Sequence, residues 1–186
     1  KDEIKPSYIM DDIKKIENIE IKKINEALFQ NNYNKNFVML YSSGTTGEPK
    51  GILHTTNSLI ASAKSFAQLS GINEDSVIYH HFPMYYMAGI FNMFLCPMVS
   101  GAKIVLGERF SRKQMLKFWD IPMKDGVNNI TLTPTMAISL VKIYRHDKTL
   151  KKYIQGMDCI ISTGSYLYKS IFDQFNRTFS IPLQTC

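Results

Sequence analysis

The chain has 186 residues, of which 45% are hydrophobic and 12% aromatic, so it is long enough for one sizeable globular domain or for part of a larger one. Its formal net charge is +6, but the lysines are spread along the chain. We therefore expect no nucleic-acid partner, because nucleic-acid binding needs clustered basic residues. The three cysteines are odd in number and lack metal-ligand spacing, so we expect reduced thiols, two of them buried, in a cytoplasmic protein with no metal site.

The chain opens on charged residues, which predicts no signal peptide, and it lacks an initial Met, so we expect a processed or excised segment. The most apolar stretch covers residues 87 to 106. It is interrupted by Asn92, Pro97 and Lys103, which favours a buried helix followed by a strand over a membrane span. We expect no membrane partner.

Residues 1 to 36 form the first predicted part of the chain. Apolar positions among many charges predict one or two amphipathic surface helices over residues 8 to 30, and the Asn-rich residues 31 to 36 predict a turn. We interpret this part as an N-terminal helical segment and linker. The continuous apolar run of residues 37 to 41 then predicts a strand buried on both faces of a sheet.

A loop rich in glycine and hydroxyl side chains follows this strand, from Ser42 to Gly51. Its glycines allow backbone N–H groups to approach an anion, its hydroxyls donate hydrogen bonds and Lys50 adds positive charge, which favours a polyphosphate ligand. The loop is not a Walker A sequence, because Pro49 precedes the lysine and Gly51 follows it. A flexible surface loop is the alternative. The candidate phosphate-binding residues are Ser42, Ser43, Gly44, Thr45, Thr46, Gly47 and Lys50.

The rest of the chain alternates predicted strands and helices. A helix capped at residues 55 to 57 ends at Gly71, a second covers residues 90 to 99, and a third begins at Ser111 and ends at Pro122. Helices opening at Pro134 and near Tyr168 follow. The predicted strands are 37–41, 77–82, 103–106, 129–133 and 157–162. The pattern predicts an α/β fold with a mostly parallel sheet of about five strands flanked by helices.

Residues 41 to 51, Tyr-Ser-Ser-Gly-Thr-Thr-Gly-Glu-Pro-Lys-Gly, resemble the phosphate-binding signature Y-T-S-G-T-T-G-x-P-K-G of the adenylate-forming superfamily, the AMP-binding acyl-CoA synthetases and ligases. The resemblance implies ATP and Mg²⁺, a nucleotide and a small carboxylate as ligands, and CoA or a carrier thiol as acceptor. It also implies ATP-dependent formation of an acyl-adenylate.

A second motif, Pro83-Met-Tyr-Tyr-Met-Ala-Gly89, is similar to the family's P-x-x-H-x-x-G stretch, which shapes the acyl pocket. Tyr86 takes the place of the family's His. The resemblance makes Tyr85, Tyr86, Met87 and Gly89 candidate substrate-binding residues.

A third motif, Ser162-Thr-Gly-Ser-Tyr-Leu167, resembles the family's S-G-G-A-P-L segment, where the adenine packs at the carboxyl end of a strand. Thr163 replaces the first Gly and Tyr166 replaces Pro. Gly164, Ser165 and Tyr166 are the candidate adenine-binding residues.

The resemblance covers residues 37 to 186, and the chain ends before the family's Y-G-x-T-E motif, its ribose-binding Asp and its C-terminal domain with the catalytic Lys. We therefore expect residues 37 to 186 to be a partial AMP-binding domain without a catalytic residue, a piece of the large N-terminal domain. The isolated chain is expected to be inactive and to lack the C-terminal domain as its partner. A non-catalytic nucleotide- or polyanion-binding module, or a degenerate scaffold member of the family, is the alternative.

Overall fold

The computed structural model describes residues 34–42 and 50–185. The helices predicted over residues 8 to 30, most of the glycine-rich loop and Cys186 lie outside the described residues. The described part begins with a hairpin, in which β1 (Asn36–Ser42) pairs antiparallel with β2 (Lys50–Thr55).

The main sheet has five parallel strands in the order β4-β3-β5-β6-β7. Helices connect successive strands, as the right-handed crossovers of a parallel sheet require. The predicted α/β fold class is confirmed. The strands are β3 (Val77–His80), β4 (Lys103–Leu106), β5 (Asn129–Leu132), β6 (Cys159–Ser162) and β7 (Gln184–Thr185).

The predicted burial of residues 37 to 41 is wrong. Phe37, Met39 and Tyr41 are 61%, 46% and 70% exposed, and within the described residues β1 pairs with β2 alone. Among the described residues, none of this two-stranded ribbon belongs to a buried core cluster, so its apolar side chains stay accessible. The fifth strand of the parallel sheet is β7, and the predicted strand 37–41 is not part of that sheet.

Six α-helices accompany the sheet within the described residues. They are α1 (Thr56–Leu69), α2 (Cys96–Ser100), α3 (Asp120–Asp125), α4 (Pro134–Tyr144), α5 (Lys148–Gln155) and α6 (Lys169–Phe179). A π-helix covers Ala88–Leu95 and a 3-10 turn covers Met115–Lys117. Among these residues no helix is both long and apolar enough to cross a membrane.

The first helix confirms its predicted ends. Thr55 caps α1 by accepting a hydrogen bond from the backbone N–H of Ser58, whose hydroxyl lies 3.1 Å from the Thr55 nitrogen. At the other end Gly71 has φ of +69°, and the N–H of Ile72 donates to the Ala67 carbonyl at 2.9 Å. This is the Schellman ending that a glycine permits.

Two helices differ from prediction. Pro122 does not end a helix from Ser111 but lies in the first turn of α3, where a missing N–H costs no hydrogen bond. Helix α5 was not predicted, because its eight residues bury only Leu150 and Ile154.

The two faces of the sheet pack against different helices. Ile130 and Ile160 lie in the larger core, together with residues of α4, α5 and α6. Ile78 faces the other way and packs with Phe66 and Ala67 of α1. Both faces of the central strands are therefore covered, which leaves the two edges formed by the strand ends for ligands.

Candidate functional site

The second and third motifs lie at one edge of the sheet. Residues 81 to 87 follow the end of β3, and residues 163 to 168 follow the end of β6. The strands are parallel, so their carboxyl ends meet at the same edge, which is where open α/β sheets bind ligands.

Tyr86 and Gly164 approach each other directly. A Cβ atom added to Gly164 would lie 3.2 Å from the Tyr86 hydroxyl and 3.9 Å from Cγ2 of Thr133. Gly164 also has φ of +89°, which residues with a side chain rarely adopt. The backbone conformation therefore favours glycine at this position, and an added side chain would press on the tyrosine hydroxyl, which is partly exposed and able to move.

Gly89 closes the turn that carries Tyr86. Its N–H donates to the Tyr86 carbonyl at 2.9 Å, and the Tyr86 N–H donates to the Pro83 carbonyl at 3.0 Å. A Cβ atom on Gly89 would lie only 2.1 Å from the Pro83 oxygen. Gly89 therefore has a packing role in positioning the turn, which its motif alone did not reveal.

The remaining predicted residues of these two motifs line the surface. Tyr85 and Tyr166 are 76% and 75% exposed, and Met87 and Ser165 are exposed as well. The Tyr166 ring lies edge-on to Tyr168, with 5.1 Å between ring centroids. Exposed aromatic rings at this edge offer flat surfaces on which a nucleobase can stack.

Thr133 belongs to the same cluster. Its segment, residues 131 to 136, resembles the family's helix entry that borders the acyl site, although Thr133 was not among the candidate site residues. Its hydroxyl caps α4 by accepting a hydrogen bond from the Met136 N–H at 3.3 Å, and its methyl group lies near Gly164. The signal was present in the sequence, because a threonine directly before Pro134 is a typical N-cap.

The glycine-rich loop begins and ends at paired residues of the hairpin. Ser42 is in register with Lys50, so the hairpin fixes both ends of the loop. Gly51 has little space above its Cα, since an added Cβ would lie 2.8 Å from Sδ of Met39. The predicted phosphate-binding residues Ser43, Gly44, Thr45, Thr46 and Gly47 lie outside the described residues, as does the side chain of Ser42.

Two buried histidines, His80 and His81, lie at the carboxyl end of β3, a few residues before Tyr86. Nε2 of His81 donates to the Thr131 carbonyl of β5 at 2.9 Å, and Nε2 of His80 lies 3.1 Å from Sδ of Met84. Burial lowers the pKa of His81 to about 4 and lowers that of His80, so both rings are neutral at neutral pH. Nδ1 of His81 has no partner within the described residues.

The described residues contain no group of three or more His, Cys, Asp or Glu side chains that could hold a metal ion. Cys96 and Cys159 are both buried, as predicted. At this edge Tyr86 and Gly164 can position a ligand, and the exposed Tyr166 ring can stack on one.

Some known proteins are similar to this chain in sequence, and others are similar in fold. The human malonate–CoA ligase ACSF3, a mitochondrial protein, is 32% identical over 61% of this chain and 20% of its own length. Rice 4-coumarate–CoA ligase 5 (Oryza sativa subsp. japonica) is 32% identical over 62% of this chain and 22% of its own. The chain thus spans about a fifth of the length of these curated relatives.

A solved structure is similar to this chain in its backbone. ATP-bound MatB from Rhodopseudomonas palustris superposes with a TM-score of 0.70 at 18% identity, over 83% of this chain and 29% of that one. At this identity the likeness supports the fold alone. The family model described as "AMP-binding enzyme" matches residues 3–186. Since this match covers almost the whole chain, the chain belongs to the AMP-binding enzyme family.

Proposed function

We propose that the protein activates a carboxylate with ATP. The carboxylate attacks the α-phosphorus to give an acyl-adenylate and pyrophosphate, and the acyl group then passes to the thiol of CoA or of a carrier. Family membership and the ligase names of the relatives support this chemistry. The observation that carries it is the approach of Tyr86 to Gly164, because it joins the motif assigned to the acyl group with the motif assigned to adenine.

The glycine-rich loop has the chemistry to bind the phosphates of ATP. Lys50 and the hydroxyls of Ser42, Ser43, Thr45 and Thr46 would hold the β- and γ-phosphates, and Gly44 and Gly47 would let the backbone approach them. Catalysis would rest on positioning and on neutralising the charge of the leaving pyrophosphate, with Mg²⁺ assisting. Lys50 has a binding role here and is not the catalytic lysine of the family's C-terminal domain.

The carboxyl edge would hold the two organic parts of the reactants. Gly164, Ser165 and Tyr166 are assigned to the adenine, and Tyr85, Met87 and Gly89 border the acyl group. Tyr86 stands between them and presents an aromatic wall with a polar tip, so a small carboxylate suits this position. Malonate and 4-coumarate, which the relatives' names contain, are the first acids to test against the full-length protein.

The proposal also assigns a role to each part of the whole protein. We interpret residues 1 to 36 as a helical segment and linker, and residues 37 to 186 as a partial AMP-binding domain that works with a C-terminal domain. The chain alone is then expected to be incompetent, and ATP–pyrophosphate exchange by the 186 residues alone would contradict this. The cytoplasmic location expected from the cysteines stays a prediction, since the human relative is named mitochondrial.

The test of the phosphate site is Lys50→Ala in the full-length protein. Loss of a charge-assisted hydrogen bond costs about 1.5–3 kcal/mol, which corresponds to a fall of about 10- to 150-fold in the exchange rate. Lys64→Ala is the matched control, because Lys64 is an exposed lysine on the face of α1 that lines no predicted site. Equal exchange rates in the two variants would refute the assignment of Lys50.

A non-catalytic nucleotide- or polyanion-binding module is the second candidate. Three departures from the family motifs favour it, namely Tyr86, Thr163 and Tyr166. The two candidates differ in one measurement, because a module of this kind would bind ATP without supporting exchange for any carboxylate. Exchange that depends on an added carboxylate would exclude it.

A further inference from the structure

A cleft of about 630 Å³ lies at the amino edge of the sheet, away from Tyr86 and Gly164. Val127 and Asn128, which line it, directly precede β5, and Met157 lies just before β6. Because the strands are parallel, these residues share the edge opposite to the carboxyl ends. The cleft is open to solvent, and its volume is in the range of small-molecule sites, about 300–1,000 Å³. The proposed ligase chemistry does not use this cleft.

One side of the cleft is apolar, and its tyrosine ring is held in place by hydrogen bonds. Met123, Val127 and Met157 line it together with the ring of Tyr153. The Tyr153 hydroxyl lies 2.7 Å from the Pro122 carbonyl oxygen and 2.5 Å from that of Val127, so it donates to the backbone and holds the ring in place. Burial raises the pKa of Tyr153 to about 12, so this wall stays uncharged at neutral pH.

The charge of the cleft is positive. Lys148 and Lys152 lie one turn apart on α5 and both line the cleft, whereas none of the described lining residues is acidic. Neither ammonium group is in an ion pair within the described part of the chain. Asn128 has a structural role, since its side chain accepts from the Val77 N–H at 2.6 Å and donates to the Asp75 carbonyl at 3.3 Å.

We propose that this cleft binds an organic carboxylate with a medium-length apolar body. The apolar body lies against Tyr153 and Met157, where it removes apolar surface from water. The carboxylate lies beside Lys148 and Lys152, which gain a charge-assisted hydrogen bond. An inorganic anion would leave the apolar walls hydrated, and an uncharged hydrocarbon would gain nothing from the two exposed lysines. The combination of walls and charge thus selects an amphiphilic anion.

The experiment is a titration of the full-length protein, labelled with ¹³C-methyl methionine, with octanoate. Met123 and Met157 report on the cleft, whereas Met84 and Met87 report on the carboxyl edge where the proposed ligase chemistry takes place. We expect saturable shifts of the Met123 and Met157 methyl signals. We also expect at least about tenfold weaker binding of acetate, which lacks the apolar body, and about threefold or more weaker binding of 1-octanol, which lacks the charge.

Substitutions on α5 test the charge. Lys148→Gln combined with Lys152→Gln is expected to weaken octanoate binding about threefold or more, because each exposed ion pair contributes modestly. Lys151→Gln is the matched control, since Lys151 is on the same helix but does not line the cleft. The double variant and the control must both keep the native unfolding midpoint for this comparison, and each lysine substituted singly serves if the double variant does not.

Three outcomes would overturn the proposal. The first is the absence of shifts at Met123 and Met157, which would include the case in which another part of the full-length chain fills the cleft. The second is a response of Met84 and Met87 alone, which would place octanoate at the carboxyl edge. The third is equal weakening by the Lys151 control. None of these outcomes bears on the ATP–pyrophosphate exchange test of the proposed function.

Discussion

Gly164 offers a substitution whose cost follows from the structure. Gly164→Ala places a side chain at φ of +89°, which costs about 1–2 kcal/mol of backbone strain. The new methyl group would lie 3.2 Å from the Tyr86 hydroxyl, closer than ordinary contact by a few tenths of an ångström. The Tyr86 side chain is partly exposed and has room to move, so this contact should add only about 0.5 kcal/mol to the loss of stability. The larger effect should fall on the position of Tyr86.

Gly126→Ala measures the cost of backbone strain alone, without the steric contact that Gly164→Ala adds. Gly126 has φ of +67°, and nothing lies within 4 Å of a Cβ atom added there. Urea unfolding should therefore show a loss of about 1–2 kcal/mol for Gly126→Ala and a somewhat larger loss for Gly164→Ala. In a Tyr86→Phe background, which lacks the hydroxyl, the extra loss at Gly164 should disappear, a coupling of about 0.5 kcal/mol.

The activity of the full-length protein provides a second test of the contact between Tyr86 and Gly164. If Tyr86 borders the acyl group, Gly164→Ala should raise the KM for the carboxylate in ATP–pyrophosphate exchange, and Gly126→Ala should leave it unchanged. Equal stability losses at Gly164 and Gly126, together with no coupling to Tyr86 and an unchanged KM, would refute the reasoning that this contact shapes the site.

Gly89→Ala should destabilise the fold by about 3 kcal/mol or more, because the new Cβ would lie 2.1 Å from the Pro83 backbone oxygen; urea unfolding tests this, and a loss under 1 kcal/mol would contradict it. Ser162→Ala should stabilise by about 1 kcal/mol, since the buried Ser162 hydroxyl has no hydrogen-bond partner among the described residues; a clear loss of stability would show that this hydroxyl is bonded in solution. Acid should destabilise the fold through His81, whose pKa is near 4 when folded and near 6.5 when unfolded. Between these values the unfolded chain binds more protons, so the free energy of unfolding should fall by about 3 kcal/mol as the pH drops from 6.5 to 4. An NMR titration of the folded protein that places the His81 pKa above 6 would contradict this.

The elements that the sequence predicted well carry strong local signals. Lys103–Leu106 is a strand with the predicted ends, because Gly101 stops the helix before it with φ of +72°. Helix α4 begins at Pro134, as predicted, since Thr133 and Pro134 together form a typical helix start. In these places a single turn or cap decides the structure, and the rest of the fold does not override it.

The predictions were wrong where contacts with residues distant in the sequence decide the structure. The apolar run of residues 37 to 41 is compatible with a buried strand or with a hairpin, and only its pairing with β2 distinguishes them. The geometry of the candidate site was unpredictable for the same reason. The motifs around Tyr86 and Gly164 were recognisable separately, but their contact depends on the order of β3, β5 and β6 in the sheet.

The π-helix Ala88–Leu95 has a consequence for how chain length can vary in this family. The Cys96 N–H donates to the Phe91 carbonyl five residues earlier, whereas an α-helix would use the residue four earlier. Each hydrogen-bonded turn of a π-helix contains one residue more than a turn of an α-helix, although both can connect the same two flanking segments. A protein one residue shorter between Gly89 and Gly101 can therefore keep the Tyr86 turn and β4 in place by forming an α-helix there. Alignments of relatives should show a single-residue gap within Ala88–Leu95 where the π-helix is absent.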